Sequence, residues 1–318
     1  MLANNNKMII NKLAKNSVKS NKKQYGILFF TIVLSAFMLF CVFTIGLTYL
    51  DSSRLQNTRL NGAEYDITTM NGFTSKQVKS LQSNKNIQNV GMESYAGFIK
   101  SSEFDNTVEI GLLWCDETFW NNLMSPARTK LDGHYPQNKN ELMVTKDILK
   151  ACGNENLSVG DSIVLTYENN TGVHTDKFVI SGIWDGYGDK SAGFVSKNFY
   201  DETGYDLKND GILCIKLNRN YVLPTTIQSL EKSLNFSDRQ IFAPTDYIEN
   251  SFKLLLGICG LALVICLSAY LLIYNILYLS ISGKIRYYGL LQSLGMTKKQ
   301  LVRFITKQML FIAIAGIF

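Results

Sequence analysis

Two long stretches without charge constrain the fold of this chain most strongly. Residues 25–49 and 254–281 contain no Asp, Glu, Lys or Arg and consist mainly of large apolar side chains. The first stretch has 25 residues, and a helix of that length spans about 37 Å, more than the ~30 Å hydrocarbon core of a bilayer. A cleaved signal peptide does not fit, because the stretch is too long and no small-residue cleavage site precedes Asp51. We predict transmembrane helices over residues 25–50 and 251–281.

A third apolar stretch begins near Met309 and reaches the last residue of the sequence, Phe318. Its length is about half of what a spanning helix requires. We therefore predict that residues 307–318 begin a third transmembrane helix. On this interpretation the chain is an N-terminal fragment of a longer membrane protein.

Charge is strongly segregated along the chain. All 26 acidic residues fall between residues 51 and 250, together with 19 of the 32 Lys and Arg, so both ends are purely basic. Basic flanks of membrane helices mark the cytoplasmic side. The sequence therefore predicts a multi-pass protein of the cell membrane with a cytoplasmic N-terminus, an extracellular region at 51–250 and a cytoplasmic loop at 282–306.

The region between the spans has a mixed pattern of strands and helices. Alternating or continuous apolar runs predict strands, and capped segments with apolar residues on one face predict helices. This pattern indicates an α+β domain over 51–250, in one piece or in two subdomains that meet near 125–130 or near 195. Residues 1–24 are predicted to form a cytoplasmic segment with an amphipathic helix at 8–20 that lies in the membrane interface. The predicted strands are 65–69, 107–114, 141–145, 162–167, 177–184 and 211–217, and the predicted helices are 74–82, 117–123, 146–151 and 225–234.

The sequence offers no motif for catalysis or for a cofactor. A phosphate-binding loop is absent, because Tyr278 stands where the first glycine before Gly283-Lys284 would have to be. His134 and His174 lack the spacing of a zinc site. The basic residues lie where a membrane topology needs them and do not indicate nucleic-acid binding. We expect neither an enzyme nor a cofactor, and any ATP hydrolysis would occur in a separate subunit.

The cytoplasmic loop carries the most informative pattern, Arg-Tyr-Tyr-Gly-Leu-Leu-Gln-Ser-Leu-Gly-Met-Thr-Lys-Lys-Gln-Leu at 286–301. Its two glycines allow helix ends or close approach, and three of its leucines are predicted to share one helical face that could fill a groove on a partner. Its basic residues could pair with acids or lipid headgroups, although a plain positive-inside flank would look the same. The predicted docking residues are Arg286, Tyr287, Gly289, Leu290, Leu291, Leu294, Gly295, Lys298 and Lys299.

This loop resembles the coupling region of FtsX-like (MacB-type) ABC transporter permeases. Tyr287 stands where many members have Glu, as in a branch common in Gram-positive bacteria that includes permeases for peptide-antibiotic resistance. A second resemblance, to the family's periplasmic core domain, comprises Asp-Gly-His-Tyr-Pro at 132–136, Asn-Glu-Leu-Met-Val at 140–144, Val-Gly-Asp-Ser-Ile at 159–163 and Phe-Val-Ile-Ser-Gly-Ile at 178–183. The glycines of these motifs suit turns between strands.

The resemblance implies a MacB-like periplasmic-core-type domain inserted between transmembrane helices. It implies a permease subunit in which a separate ABC ATP-binding subunit docks on the loop and moves the outer domain by mechanotransmission. The function would be export or removal of an amphiphile such as a lipid, peptide or antibiotic. Expected partners are that subunit, membrane lipids and a second permease, as a homodimer or a paired half. Two alternatives remain open: an FtsX-like signalling regulator of an extracellular hydrolase or sensor kinase, and a membrane-anchored receptor without ATPase coupling.

Overall fold

The structure is a computed structural model that describes residues 7–100, 110–187 and 192–317. The chain divides into two compact units. The first comprises residues 1–49 and 255–318, and the second residues 50–254. The helices of the first unit are α1 (Lys7–Ser20), α2 (Lys22–Asn61), α8 (Asp246–Ser282), α9 (Ile285–Ser293) and α10 (Lys298–Ile317), of which α2 and α8 also contribute residues to the second.

Two of these helices are long and apolar enough to cross a membrane, over Tyr25–Asn61 and Asp246–Ser282. Only 6% of the most apolar window of each is buried by the protein itself. A soluble core helix would be largely covered, so these surfaces require an apolar environment such as lipid.

The second unit is a mixed α/β domain. Its strands are β1 (Ile67–Met70), β2 (Ile87–Lys100), β3 (Ile110–Cys115), β4 (Arg128–Gly133), β5 (Glu141–Thr145), β6 (Ser162–Asn169), β7 (Gly172–Gly186), β8 (Ala192–Val195), β9 (Ile212–Leu217) and β10 (Ile241–Pro244). Its short helices are α3 (Ser75–Gln82), α4 (Lys146–Ala151), α5 (Lys197–Tyr200), α6 (Leu207–Asp210) and α7 (Pro224–Ser233), with a π-type helix at Phe119–Leu123 and a 3₁₀ turn at Ser125–Ala127. The prediction of an α+β domain between two apolar helices is confirmed.

All ten strands belong to one sheet with the order β10-β1-β9-β2-β3-β8-β5-β7-β4. Strand β6 pairs with both β2 and β7, so the path β2-β3-β8-β5-β7-β6 returns to β2 and forms a closed ring. Closure removes exposed strand edges, which are otherwise sites of aggregation. Strand β2 can pair with strands of both parts of the sheet because its register shifts between Tyr95 and Gly97. Gly97 has a φ of +153° at this shift.

Two of the apolar cores of this domain follow directly from this topology. The first fills the ring and includes Leu112, Leu142, Phe178 and Ile180. The second lies where β1, β9 and the start of β2 meet α3 and α7, and it includes Leu81, Ile215 and Leu230. The segments around the second core come from both ends of the domain sequence, whereas the ring comes from the middle. Strands that precede and follow residues 125–130, and strands that precede and follow residue 195, belong to this one sheet.

The local predictions agree with the structure at most places. The strand at 141–145 and the helix at 146–151 are confirmed residue for residue, and the helix predicted at 74–82 is α3, with Thr74 as its cap. Residues 107–109 of the strand predicted at 107–114 lie outside the described residues, and the rest is β3. The helix predicted at 117–123 adopts π geometry over most of its length. Strands β2, β4, β8 and β10 were not predicted.

Candidate functional site

Helix α9 ends within the predicted docking loop because of a glycine. Gly295 has a φ of +100°, a conformation that L-residues with a side chain avoid. The Met296 N–H donates to the Leu291 carbonyl at 3.1 Å, and the Gly295 N–H donates to the Gln292 carbonyl at 2.9 Å. These two bonds form a Schellman motif, which satisfies the free carbonyls at the end of the helix.

Helix α10 begins three residues after that glycine, and a capping box at Thr297 precedes it. The Gln300 N–H donates to the Thr297 hydroxyl at 3.3 Å, and the Thr297 N–H donates to Gln300 Oε1 at 3.0 Å. This reciprocal pair satisfies two orphan donors of the helix start. The Leu-Gly-Met-Thr-Lys-Lys-Gln sequence therefore specifies a short turn with both flanking helix ends capped.

One face of α9 packs against the rest of the membrane-helix unit. Tyr288 is buried in a cluster with Ile10, Ala14 and Phe304, and Leu291 contacts the same cluster. Ala14 and Phe304 are fully buried. Helix α1 therefore packs against α10. Residues 8–20, which we predicted to lie in the membrane interface, thus pack partly on protein.

The opposite face of α9 is exposed. Leu290 and Leu294 are 60% and 77% exposed, and Arg286 lies one turn before Leu290 on the same stripe. Successive helical residues are turned by about 100°, so Leu291 lies at the edge of the face that Leu290 and Leu294 form, and it packs against the buried cluster. The prediction that the three leucines dock together on a partner stays a prediction.

The remaining predicted docking residues surround this stripe. Tyr287 is 42% exposed, and Lys298 and Lys299 are exposed at the start of α10. A Cβ on Gly289 would meet no atom within 4 Å, so Gly289 leaves a gap in the outer face of α9. The structure brings an apolar pair, a gap and three basic side chains into one short segment.

The glycine motifs of the α/β domain have structural roles, as predicted. Gly133 has a φ of +88°, and a Cβ there would collide with the carbonyl oxygen of Ser181. A Cβ on Gly182 would lie 2.7 Å from Cε of Met143. The neighbouring Tyr135 hydroxyl accepts from the Cys115 N–H at 3.0 Å and donates to the Val195 carbonyl at 3.2 Å. These contacts hold β3, β4, β7 and β8 together.

Sequence reasoning missed a buried charge cluster in the α/β domain. Lys216 of β9 lies 3.3 Å from Glu64 Oε1 and 3.3 Å from Asp66 Oδ2, and Arg54 also pairs with Glu64. The side chains of Lys216 and Asp66 are only 6% and 2% exposed. A lysine within the apolar strand Ile-Leu-Cys-Ile-Lys-Leu was the available signal, because a lysine is rarely buried without a partner.

The two carboxylates of this cluster respond oppositely to their surroundings. Burial raises the pKa of Asp66, and the attraction of Lys216 offsets only part of that effect. Burial also acts to raise the pKa of Glu64, but the charges of Lys216 and Arg54 outweigh it and the net direction is downward. Lys216 therefore favours the charged form of both acids, and Arg54 adds to that effect at Glu64.

The described residues, 7–100, 110–187 and 192–317, contain no group of three or more His, Cys, Asp or Glu that could hold a metal ion. His134 is exposed, and its Nδ1 lies 3.0 Å from the Tyr135 carbonyl oxygen. His174 contacts the Thr171 hydroxyl through Nε2 at 2.8 Å. Both histidines thus take part in local loop and strand contacts.

Comparison with known families identifies the part of the chain that contains this loop. Residues 259–318 match the family described as FtsX-like permease C-terminal. This segment of the chain is similar to FtsX-like permeases. The capped α9–α10 turn lies inside that FtsX-like segment, and the predicted resemblance is confirmed. No curated protein sequence matches the chain.

Two solved structures are similar to a part of this chain. The periplasmic region of MacB from Actinobacillus actinomycetemcomitans is 14% identical, with 61% of this chain and 95% of that chain covered at a TM-score of 0.40. The extracellular domain of YknZ, a noncanonical ABC-type transporter from Gram-positive bacteria, is 10% identical, with 57% and 99% covered at a TM-score of 0.36.

Proposed function

We propose that this FtsX-like permease couples ATP hydrolysis in a separate ABC ATP-binding subunit to movement of its α/β domain. The subunit docks on the α9–α10 segment through Arg286, Tyr287, Gly289, Leu290, Leu294, Gly295, Lys298 and Lys299. Leu291 contributes by holding α9 in place. The work performed is export or removal of an amphiphile, such as a lipid, peptide or antibiotic.

The exposed pair Leu290 and Leu294 is the observation that carries this proposal. Two leucines one turn apart on a helix, with basic residues at both ends, match the pattern by which an amphipathic helix fills an apolar groove on a protein. The back of α9 is already packed through Tyr288 and Leu291. A force applied to the outer face would therefore reach α1 and α10 instead of bending α9 alone.

Packing between α2 and α8 supports the transmission step. A Cβ on Gly46 would lie 2.7 Å from Cδ1 of Ile258, so the two helices approach closely at that glycine. Small residues at such contacts allow close helix packing in membranes. Each of the two helices also contains residues of the α/β domain, and we propose that they carry the motion to it.

The charge pattern supports the orientation. Residues 1–49 and 255–318 hold no acid and many Lys and Arg, which favours a cytoplasmic α9–α10 segment and an extracellular α/β domain. A second permease, as a homodimer partner or a paired half, would complete the transporter.

Co-purification with the cognate ATP-binding subunit tests the docking surface. We expect the double change Leu290→Ser and Leu294→Ser to reduce the retained ATPase more than tenfold, because burial of each leucine contributes about 1.5–3 kcal/mol. Charge reversal by Arg286→Glu and Lys298→Glu should also weaken the complex, in a salt-dependent manner.

Two variants serve as matched controls for these changes. Val302→Ser alters a side chain on α10 that is 57% exposed and outside the proposed surface, and Lys19→Glu reverses an exposed charge on α1. Both should retain the ATPase at the wild-type level. Undiminished pull-down by the leucine and charge variants would refute docking on this segment. Retention of the ATPase without any amphiphile transport would instead favour a signalling role.

A further inference from the structure

The membrane-helix unit contains a buried lysine without an acidic partner. Residues 1–49 and 255–318 include no Asp or Glu, so no carboxylate side chain of this unit can pair with any of its cations. Most of these lysines are exposed and meet water. Lys284 differs, because its Nζ is buried and has no hydrogen-bond partner among the described residues.

A second unpartnered donor lies beside the same tyrosine. The Lys284 Nζ is 5.1 Å from the centre of the Tyr25 ring, and the Tyr25 hydroxyl donates to Gln308 Oε1 at 2.9 Å. Gln308 is only 1% exposed, and its Nε2 has no acceptor within the described part of the chain. Two buried donors thus converge on Tyr25, and neither has an acceptor among the residues that the structure describes.

This arrangement is unfavourable unless an acceptor binds. An unmet buried donor costs free energy, and the cost is larger for a charged group. Burial lowers the pKa of Lys284, as expected for an ammonium that has lost part of its hydration. A group with several anionic oxygens would satisfy both the ammonium and the amide.

The position of the cluster along the chain favours a lipid as the source of that group. Tyr25 is the first residue of one candidate span, and Lys284 lies two residues beyond the last residue of the other, Ser282. Tyr and Lys at such positions lie at the level of the lipid headgroups. Phosphate oxygens are abundant at that depth.

We propose that Lys284, Gln308 and Tyr25 form a binding site for the phosphate of a phospholipid headgroup. The Lys284 ammonium and the Gln308 amide donate to phosphate oxygens, and the Tyr25 ring and hydroxyl position the two donors. This site is independent of ATPase docking, so either proposal can fail without the other.

Native mass spectrometry of the full chain purified in detergent tests the site. The probes are phosphatidylglycerol, diacylglycerol with the same acyl chains but no phosphate, and inorganic phosphate. Wild-type protein should retain phosphatidylglycerol selectively. Lys284→Gln and Gln308→Leu should each weaken that binding about tenfold, the effect of losing a charge-assisted hydrogen bond. Lys284→Arg should preserve most of it.

A matched control separates a specific site from general surface charge. Lys23→Gln removes the same charge from an exposed position near the start of the first span and should leave lipid retention unchanged. An equal loss in Lys23→Gln, equal retention of diacylglycerol, or equivalent competition by inorganic phosphate would overturn the proposal. So would a Lys284→Gln variant that binds lipid normally and loses only its ATPase, since a partner's carboxylate would then be the acceptor.

A further variant keeps the test informative if substitutions impair folding. Gln308→Glu supplies an internal carboxylate beside Lys284 and should compete with the lipid phosphate. We expect this variant to melt at a higher temperature than wild type in lipid-free detergent while it loses selective retention of phosphatidylglycerol. Unchanged lipid retention together with an unchanged melting temperature would contradict the site.

Discussion

Replacement of Lys216 by Met tests whether the buried charge cluster stabilises the α/β domain. Methionine fills the volume of the aliphatic stem but removes the cation that lies 3.3 Å from carboxylate oxygens of both Glu64 and Asp66. Glu64 keeps its ion-pair partner Arg54, whereas Asp66 keeps a bond from the Leu217 N–H at 2.8 Å and a weaker attraction to Arg54. The main cost therefore comes from Asp66.

The expected loss follows from the burial of that carboxylate. Removing one partner of a buried ion pair typically costs about 3–5 kcal/mol, and the remaining backbone bond to Asp66 places this case near the lower end, at about 3 kcal/mol. For a folding unit of this size, residues 50–254, each kcal/mol lowers the melting temperature by about 2–4 °C. The variant should therefore melt roughly 6–12 °C below wild type.

Tryptophan fluorescence of the full chain in detergent measures this transition. All three Trp of the protein lie in the α/β domain, so the signal reports that unit. Without Lys216, Asp66 has a folded-state pKa further above its unfolded value. The loss of folding stability caused by ionised Asp66 is complete at pH 8. It decreases as the pH falls through the folded-state pKa, because a protonated carboxyl needs no cation. The loss should thus be smaller at pH 5 than at pH 8.

An exposed ion pair of the same domain provides the control. Lys139 pairs with Glu202, and both side chains are more than half exposed. Lys139→Met should change stability by less than about 1 kcal/mol at either pH. The reasoning is refuted if Lys216→Met is equally mild, or if its loss does not depend on pH.

Three further substitutions test the α9–α10 turn, the α/β domain and the packing of α1 against α10. Gly295→Ala should cost about 1 kcal/mol because of its positive φ and reduce ATPase co-purification. Gly160→Ala, at a positive φ in the α/β domain, should leave co-purification unchanged, and equal co-purification by both variants would contradict this. Gly133→Ala should lower the melting temperature of the domain more than Gly160→Ala does. Both positions have a positive φ, but only at Gly133 would a Cβ collide with another residue, at the Ser181 carbonyl oxygen. Equal melting temperatures of the two variants would contradict this collision. Phe304→Ala should lower the stability of the membrane-helix unit by about 3–5 kcal/mol and increase hydrogen exchange in α1. Unchanged protection of α1 would contradict the packing of α1 against α10.

Local chemistry made several elements readable from the sequence. The uncharged stretches predict α2 and α8 because their length and composition suit a bilayer. Residues 141–151 were predicted as a strand and a helix with the observed bounds, since Thr145 both ends an apolar run and caps the helix, accepting from the Ile148 N–H at 3.2 Å. The sequence of the docking loop also contains the glycine that ends α9 and the Thr-x-x-Gln motif that caps the start of α10.

Strand β2 shows what a local pattern could not reveal. It contains Asn89, Gly91 and Gly97, residues that disfavour strands, and it was not predicted. Its pairing with β9, β3 and β6 fixes it as the strand common to both cores. The closed ring depends on partners distant in sequence, which periodicity within a short window cannot report.

The sequence by itself determined the apolar spans, the segregation of charge and the capped turn, because each depends on neighbouring residues or on composition. Only the tertiary structure decided that Leu290 faces outward while Leu291 packs inward, that Lys216 lies between two carboxylates, and that Lys284 and Gln308 meet at Tyr25. These features depend on which distant segments pack together, and packing assigns a side chain its neighbours, its burial and therefore its chemistry.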